Sequence, residues 1–76
     1  MTNINKLRGK MAEKEISVSE LATMINVNQA TLYRRLDDGE KFSIKEAKEI
    51  AKVLELTAKE LNEIFFSEIV ADMQQQ

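Results

Sequence analysis

Four residues near the middle of the chain have side chains whose types and spacing could read nucleic-acid bases. They are Gln29, Ala30, Tyr33 and Arg34. Glutamine can pair with adenine through two hydrogen bonds, arginine can pair with guanine in the same way, and alanine can contact the thymine methyl group. Residues four apart share one face of a helix. We therefore predict one base-reading surface, from which the Tyr33 hydroxyl reaches a base edge or a phosphate.

Five further residues could contact the sugar-phosphate backbone, because hydroxyl groups, amides and cationic side chains commonly bind phosphates. The predicted phosphate contacts are Asn28, Thr31, Arg35, Lys41 and Lys45. Taken singly, a polar residue on an exposed helix face is more often only solvated. Predicted base contacts and predicted phosphate contacts together, on helices that place them on one face, favour DNA recognition.

Residues 17–36 have the pattern of a helix-turn-helix that would position these side chains. Two helices joined by about three residues cross steeply, so a small residue is needed where they touch, and Ala22 is small. Asn26 suits the turn because asparagine tolerates left-handed backbone. The apolar residues that would fix the crossing angle are Leu21, Ile25, Val27 and Leu32.

The whole sequence predicts an all-α fold of five short helices in a single domain, residues 1–76. Three capping boxes mark helix starts, because in each a hydroxyl and a glutamate satisfy exposed backbone amides of the first turn. They are Ser17-x-x-Glu20, Ser43-x-x-Glu46 and Thr57-x-x-Glu60. With the apolar periodicity, the predicted helices cover residues 3–14, 18–25, 29–36 and 44–54, and a fifth begins near residue 58.

Both glycines have a predicted role. Gly9 lies inside the first helix, and we interpret it as a site of close packing against another helix. Gly39 follows Asp37 and Asp38 in a predicted helix stop, where it can take a positive φ.

The end of the chain carries more apolar residues than one helix face can bury against a small core. The fifth helix either stops at Phe66 or continues through Met73, and residues 66–76 either dimerise or fray. We favour a self-complementary dimer patch over the alternative that these apolar residues are incidental. The predicted patch is Phe66, Ile69 and Val70.

Composition excludes several kinds of site. The chain has no cysteine and no histidine, which removes disulfides, cysteine- or histidine-ligated zinc, cysteine nucleophiles and imidazole bases. No glycine-rich phosphate loop or nucleophile–base pair is present, so we expect no enzyme, metal, cofactor or small-molecule substrate. No apolar run approaches the ~18 residues of a membrane span and no signal peptide is recognisable, which favours a cytoplasmic protein.

The charge of the chain is uneven. The net charge of −2 argues mildly against DNA binding. Residues 1–45 nevertheless carry eight lysines and arginines against six acidic residues, whereas residues 46–76 carry three against seven. We expect the folded domain to turn its basic half toward DNA and its acidic half away.

Several short motifs resemble those of a known family. They are residues 7–10 (Leu-Arg-Gly-Lys), 31–36 (Thr-Leu-Tyr-Arg-Arg-Leu), 42–43 (Phe-Ser), 50–54 (Ile-Ala-Lys-Val-Leu) and 64–66 (Ile-Phe-Phe). Over about residues 4–73 the chain resembles the lambda-repressor-like family of helix-turn-helix proteins, the Cro and phage repressor group. The resemblance implies a five-helix domain that binds double-stranded operator DNA as a homodimer, reads a near-palindromic site and regulates transcription.

Two positions depart from the family pattern. Many members have a phosphate-binding glutamine at the start of the second helix, where this chain has Val18, with Ser19 as the nearest substitute. Three positions after Leu32 an apolar residue is common, but this chain has Arg35, so Leu36 supplies the core contact. Because no second module follows, the chain is expected to be Cro-like or an isolated DNA-binding fragment.

The competing hypothesis is a protein-interaction module on the same fold, such as an antirepressor or an antitoxin. The acidic second half and the apolar tail favour this alternative. The arrangement of core, turn and polar face in residues 17–36 favours DNA binding.

Overall fold

The computed structural model describes residues 2–39 and 41–74, and within these ranges it contains five α-helices and no strand. The helices are α1 (Ile4–Glu13), α2 (Val18–Met24), α3 (Gln29–Asp38), α4 (Ile44–Val53) and α5 (Ala58–Gln74). The predicted all-α class is confirmed. The last two residues of the predicted tail, Gln75 and Gln76, lie outside the described residues.

The helix starts follow the sequence prediction. All three capping boxes form, and the hydroxyl oxygens of Ser17, Ser43 and Thr57 each accept a first-turn amide at 3.1 Å. Asn28 caps α3, because its Oδ1 accepts the N–H of Ala30 at 2.8 Å. These bonds satisfy amides that have no partner inside the helix, which is why local sequence was enough to locate the helix starts.

Three helices end in the same turn geometry, although a left-handed turn was predicted only at Asn26. Glu15, Asn26 and Glu55 have positive φ angles of 56°, 57° and 53°. The residue after each is apolar, packs against the core and donates its N–H to the carbonyl five residues earlier at 2.9 Å. These apolar residues are Ile16, Val27 and Leu56. The geometry is the Schellman motif, and a capping Ser, Asn or Thr follows at once, so the next helix begins without a longer loop.

The two glycines behave differently. Gly39 ends α3 with a φ of 70°, as predicted, although Asp37 and Asp38 belong to the last turn of α3 and not to a stop before it. The interpretation of Gly9 is wrong. No neighbouring atom lies within 4 Å of the position that a Cβ would occupy, so no close helix packing requires a glycine there.

One hydrophobic core joins the helices. Its central side chains are fully buried, including Leu7 of α1, Leu32 of α3 and Ile50 of α4. The buried apolar residues are Leu7, Met11, Leu21, Ala22, Ile25, Leu32, Leu36, Phe42, Ala47, Ile50, Leu54, Ile64 and Phe65. Ile44 and Ala51 of α4 are only half-buried, at the edge of this core.

Helix α5 continues past Phe66 to Gln74, with a kink at Phe65, where φ is −111° and ψ is 28°. The buried Phe65 ring meets the Phe42 ring edge-on, with 5.6 Å between the centroids. Beside the kink, the Ile64 carbonyl accepts the N–H of Asn3 at 2.8 Å. The N-terminal segment therefore docks on α5 where the helix changes direction.

Candidate nucleic-acid interface

Helices α2 and α3 form the predicted helix-turn-helix. Asn26 takes the left-handed conformation, and the N–H of Val27 donates to the Ala22 carbonyl at 2.9 Å. Ala22 and Leu32 are buried. A small residue and a left-handed turn thus allow the two helices to cross closely, and the turn leads directly into the first turn of α3.

The predicted base-reading residues lie together on the outer face of α3. All four are exposed: Gln29, Ala30, Tyr33 and Arg34. Leu32 and Leu36 anchor the opposite side of the helix in the core. Because residues four apart stack on one face, the four side chains form a compact block about two turns long. The burial of Leu36 also fixes the rotation of α3.

A hydrogen bond between α2 and α3 positions the first residue of this block. The Ser19 hydroxyl donates to the Gln29 Oε1 at 3.3 Å. Val18, at the position where the family resemblance implies a phosphate-binding glutamine, packs against the core. Ser19 therefore restrains the Gln29 side chain, an interaction that the valine cannot provide.

Asn28 and Thr31 lie at the start of α3. The Asn28 Oδ1 accepts the N–H groups of Ala30 and Thr31, at 2.8 Å and 3.4 Å. The side-chain oxygen of Asn28 is therefore used to cap α3. The side-chain amide nitrogen is the group of Asn28 that can donate to a phosphate. Thr31 is half-buried beside it.

The structure gives Arg35 a different role from the predicted phosphate contact. Its guanidinium pairs with the Glu46 carboxylate of α4 at 2.5 Å and lies 5.5 Å from the centroid of the Phe42 ring. Burial raises the pKa of Glu46, but hydrogen bonds from Arg35 and Ser43 outweigh it and leave this pKa below its usual value. Arg35 thus joins α3 to α4, which leaves its guanidinium less available for the predicted phosphate contact.

Lys41 and Lys45 are exposed, one before α4 and the other in its first turn. Lys45 lines a surface cleft together with Asn26 and Val27. This lysine therefore lies beside the turn that leads into α3. Lys45 therefore lies at the edge of the helix-turn-helix, and its ammonium group is exposed. The guanidinium of Arg35, in contrast, is held by Glu46.

Charged side chains of the two halves of the chain meet in the fold. Lysines of the first half of the chain pair with glutamates of the second half. The pairs are Lys6–Glu63 at 2.5 Å, Lys10–Glu60 at 2.7 Å and Lys14–Glu55 at 3.4 Å. Hydrogen bonds from Lys10 and from Thr57 lower the pKa of Glu60 to about 2. These ion pairs join the two halves of the chain, so Lys6, Lys10 and Lys14 are engaged within the protein. That the basic half faces DNA and the acidic half turns away from it stays a prediction.

Apolar side chains are exposed on α5 beyond its kink. Phe66 is 58% exposed and Met73 is 66% exposed. Val70 is half-buried, and Ile69 packs partly against the core. Of the three predicted dimer residues, Phe66 is the most exposed, while Ile69 also contributes to the packing of its own chain.

Residues 2–39 and 41–74 contain neither a metal-binding cluster nor a helix that could span a membrane. In these ranges no group of three or more acidic side chains is arranged to hold a metal ion. No helix of the same ranges combines the length and the apolar character that crossing a membrane requires.

A helix-turn-helix with an exposed polar face on α3, mounted on a five-helix core, defines a DNA-binding domain. A sequence model of the Cro/C1-type HTH DNA-binding domain matches residues 6–67. The chain therefore belongs to the Cro/C1-type HTH family, which confirms the resemblance to lambda-repressor-like proteins. Members of this family are DNA-binding regulatory domains and are generally not enzymes. No curated protein and no solved structure matched the chain.

Proposed function

We propose that the protein is a sequence-specific transcriptional regulator of the Cro and phage repressor group, acting in the cytoplasm as a single domain. The observation that carries the proposal is the exposed block on α3, opposite the buried Leu32 and Leu36. Reading a major groove requires polar side chains at fixed spacing on a rigid helix. The packing of α3 against α2 and the ion pair of Arg35 with Glu46 of α4 supply that rigidity.

The block supports a specific assignment of base contacts. Gln29 pairs with adenine, Arg34 pairs with guanine, and the Ala30 methyl meets a thymine methyl. Tyr33 reaches a base edge or a phosphate. Each bidentate pair contributes discrimination of about 1–3 kcal/mol against the wrong base, so Gln29 and Arg34 carry most of the specificity.

The phosphate contacts surround this block. Asn28 and Thr31 contact the backbone from the start of α3, and Lys41 and Lys45 do so from the segment that begins α4. Arg35 is left out of this set because Glu46 and Phe42 hold its guanidinium. With so few contacts and a net charge of −2, one subunit binds DNA only moderately.

A homodimer would supply the missing affinity. Phe66, Ile69 and Val70 form the proposed self-complementary patch, and the exposure of Phe66 supports it. A two-fold axis through this patch would place the two α3 helices about 34 Å apart, one turn of DNA. The operator is then near-palindromic, with half-sites one helical turn apart.

Selection of bound sequences from a random DNA pool, at low and at moderate salt, tests the proposal. We expect one near-palindromic sequence to be enriched at both salt concentrations, because base contacts and not phosphate contacts distinguish it from the pool. Enrichment of no sequence at either salt concentration would contradict a sequence-specific regulator.

The second candidate function is a protein-interaction module, such as an antirepressor or an antitoxin. The exposed apolar side chains of Met24, Phe66 and Met73 favour it. Salt dependence separates the two candidates. A DNA binder with about four phosphate contacts per subunit loses affinity steeply with rising salt, whereas an apolar protein contact does not.

A further inference from the structure

The lysines of α1 and those of α4 differ in their surroundings. Those on α1, Lys6 and Lys10, pair with carboxylates of α5. Those on α4, Lys45, Lys48 and Lys52, are exposed. Among the residues that the structure describes, none of these three forms an ion pair. The positive charge that is open to a partner therefore lies on α4 and not on α1.

These three lysines, which we call the α4 lysine stripe, share one side of the helix. Their spacing of three and then four residues places them in one row, opposite the buried Ala47 and Ile50. At 1.5 Å per residue the row extends about 10 Å along the helix.

The stripe begins beside the helix-turn-helix. Lys45 shares a cleft with Asn26 and Val27, and Lys48 and Lys52 line the next cleft along α4. Glu49 lies at the edge of both clefts, so it offsets one of the three positive charges. A local excess of positive charge therefore adjoins the reading helix of a chain whose total charge is −2.

We propose that Lys48 and Lys52 extend the DNA-contacting surface beyond the helix-turn-helix and hold the sugar-phosphate backbone outside the base pairs read by α3. The proposal rests on the DNA-binding function proposed above. Successive phosphates of one DNA strand are at least the axial rise of about 3.4 Å apart, so a row of about 10 Å is long enough for Lys48 and Lys52 to contact different phosphates. Lysine acts on phosphate as a flexible point charge. The contribution of the stripe to affinity is therefore independent of sequence.

The test compares two double variants that remove the same charge. One is Lys48→Gln with Lys52→Gln, and the control is Lys14→Gln with Lys59→Gln, exposed lysines at the end of α1 and in α5. Lys14 pairs with Glu55, but an exposed pair of this kind contributes little to stability. The probes are a mixed-sequence duplex of about two helical turns and the duplex recovered by random-pool selection. Affinity is measured for each protein over a series of salt concentrations.

For the stripe variant, we expect the slope of log affinity against log salt to become shallower by about 1.8, since each lost phosphate contact removes about 0.9. The change should be the same on both duplexes, so the ratio of specific to non-specific affinity stays constant. The control variant should keep the wild-type slope. Both variants should retain the wild-type melting temperature, because the substituted side chains are exposed.

Three outcomes would overturn the inference. If the wild type binds both duplexes and the stripe variant keeps its slope, the proposed function stands and the role of Lys48 and Lys52 is wrong. If the stripe variant changes the sedimentation of the free protein and leaves the slope intact, the lysines serve a contact between copies of the chain. Absence of wild-type binding to either duplex would reject the proposed function together with this inference.

Discussion

The carboxylate of Glu68 accepts the backbone N–H of Phe42 at 3.0 Å in the protein interior. The same carboxylate accepts the hydroxyl of Thr2, and its second oxygen accepts the hydroxyl of Ser67 at 3.0 Å. A buried carboxylate is tolerated when such donors replace water. One acidic residue beyond the α5 kink thus ties together the N-terminal segment, the chain before α4, and α5.

Removal of the Glu68 carboxylate should destabilise the domain. Glu68→Ala leaves the buried N–H of Phe42 without its acceptor, and we expect a loss of about 1–3 kcal/mol in the free energy of unfolding. Glu68→Gln keeps an oxygen acceptor and should lose less. Urea denaturation measures both, with Asn62→Ala, at an exposed position of α5, as the control. Equal urea midpoints for Glu68→Ala and the wild type would contradict this role.

Arg34→Ala should weaken binding to the selected operator by about 1–3 kcal/mol, because a bidentate contact to guanine is lost. The fold should stay intact, since Arg34 is exposed. Titration of a labelled duplex measures the affinity, and Lys59→Ala removes an equal charge from α5 as the control. Unchanged operator affinity in Arg34→Ala would remove this residue from the reading surface.

Phe66→Glu should shift the protein from dimer to monomer and weaken operator binding. A charge placed in an apolar self-complementary patch meets its own copy across the two-fold axis. Sedimentation velocity over a range of concentrations measures the shift. Met24→Glu, a similar change at a residue that is also exposed, is the control and should keep the wild-type association. A wild type that is monomeric at high concentration would show that the proposed patch is not an interface.

Gly9→Ala should stabilise the domain by about 0.5–1 kcal/mol, since a glycine inside a helix costs this much relative to alanine. Nothing obstructs the added methyl group. Gly39→Ala is the informative comparison, because its φ of 70° makes alanine unfavourable by about 1 kcal/mol or more. Thermal or urea unfolding measures both changes. A destabilising Gly9→Ala would contradict this prediction and show that the helix does not accommodate the added methyl group.

The ion pair of Glu60 with Lys10 should make stability depend on pH in the acid range. The folded pKa of Glu60 is about 2, against a usual value of 4.5. A lowered pKa stabilises the fold above pH 4.5, and this contribution is lost as the pH falls toward 2. Glu60→Gln should therefore flatten the curve of stability against pH in that window.

Lys10→Met is the companion variant for this measurement. It removes the first cause of the lowered pKa of Glu60, so it should flatten the same part of the curve while leaving the Thr57 capping bond in place. If both variants have the same acid unfolding curve as the wild type, carboxylates other than Glu60 determine how stability depends on pH.

Local sequence determined the helix starts and the outward face of α3. The capping boxes and the Asn28 cap depend on atoms within one turn, and the exposure of Gln29 and Arg34 follows from helical periodicity. The left-handed turns at Glu15 and Glu55 could also have been found. Each is followed by an apolar residue and a capping hydroxyl, in the same order as Asn26, Val27 and the capping Asn28.

What only the tertiary structure decided is which charged groups meet. Arg35 was predicted to contact a phosphate but pairs with Glu46, and Lys10 of the basic half pairs with Glu60 of the acidic half. Glu68 gave no signal beyond being a lone carboxylate in an apolar stretch. Partners of this kind come from different helices, and the angle at which those helices pack depends on the whole core. The helix-turn-helix was therefore predictable from sequence, whereas the charges that remain exposed to DNA were known only from the folded chain.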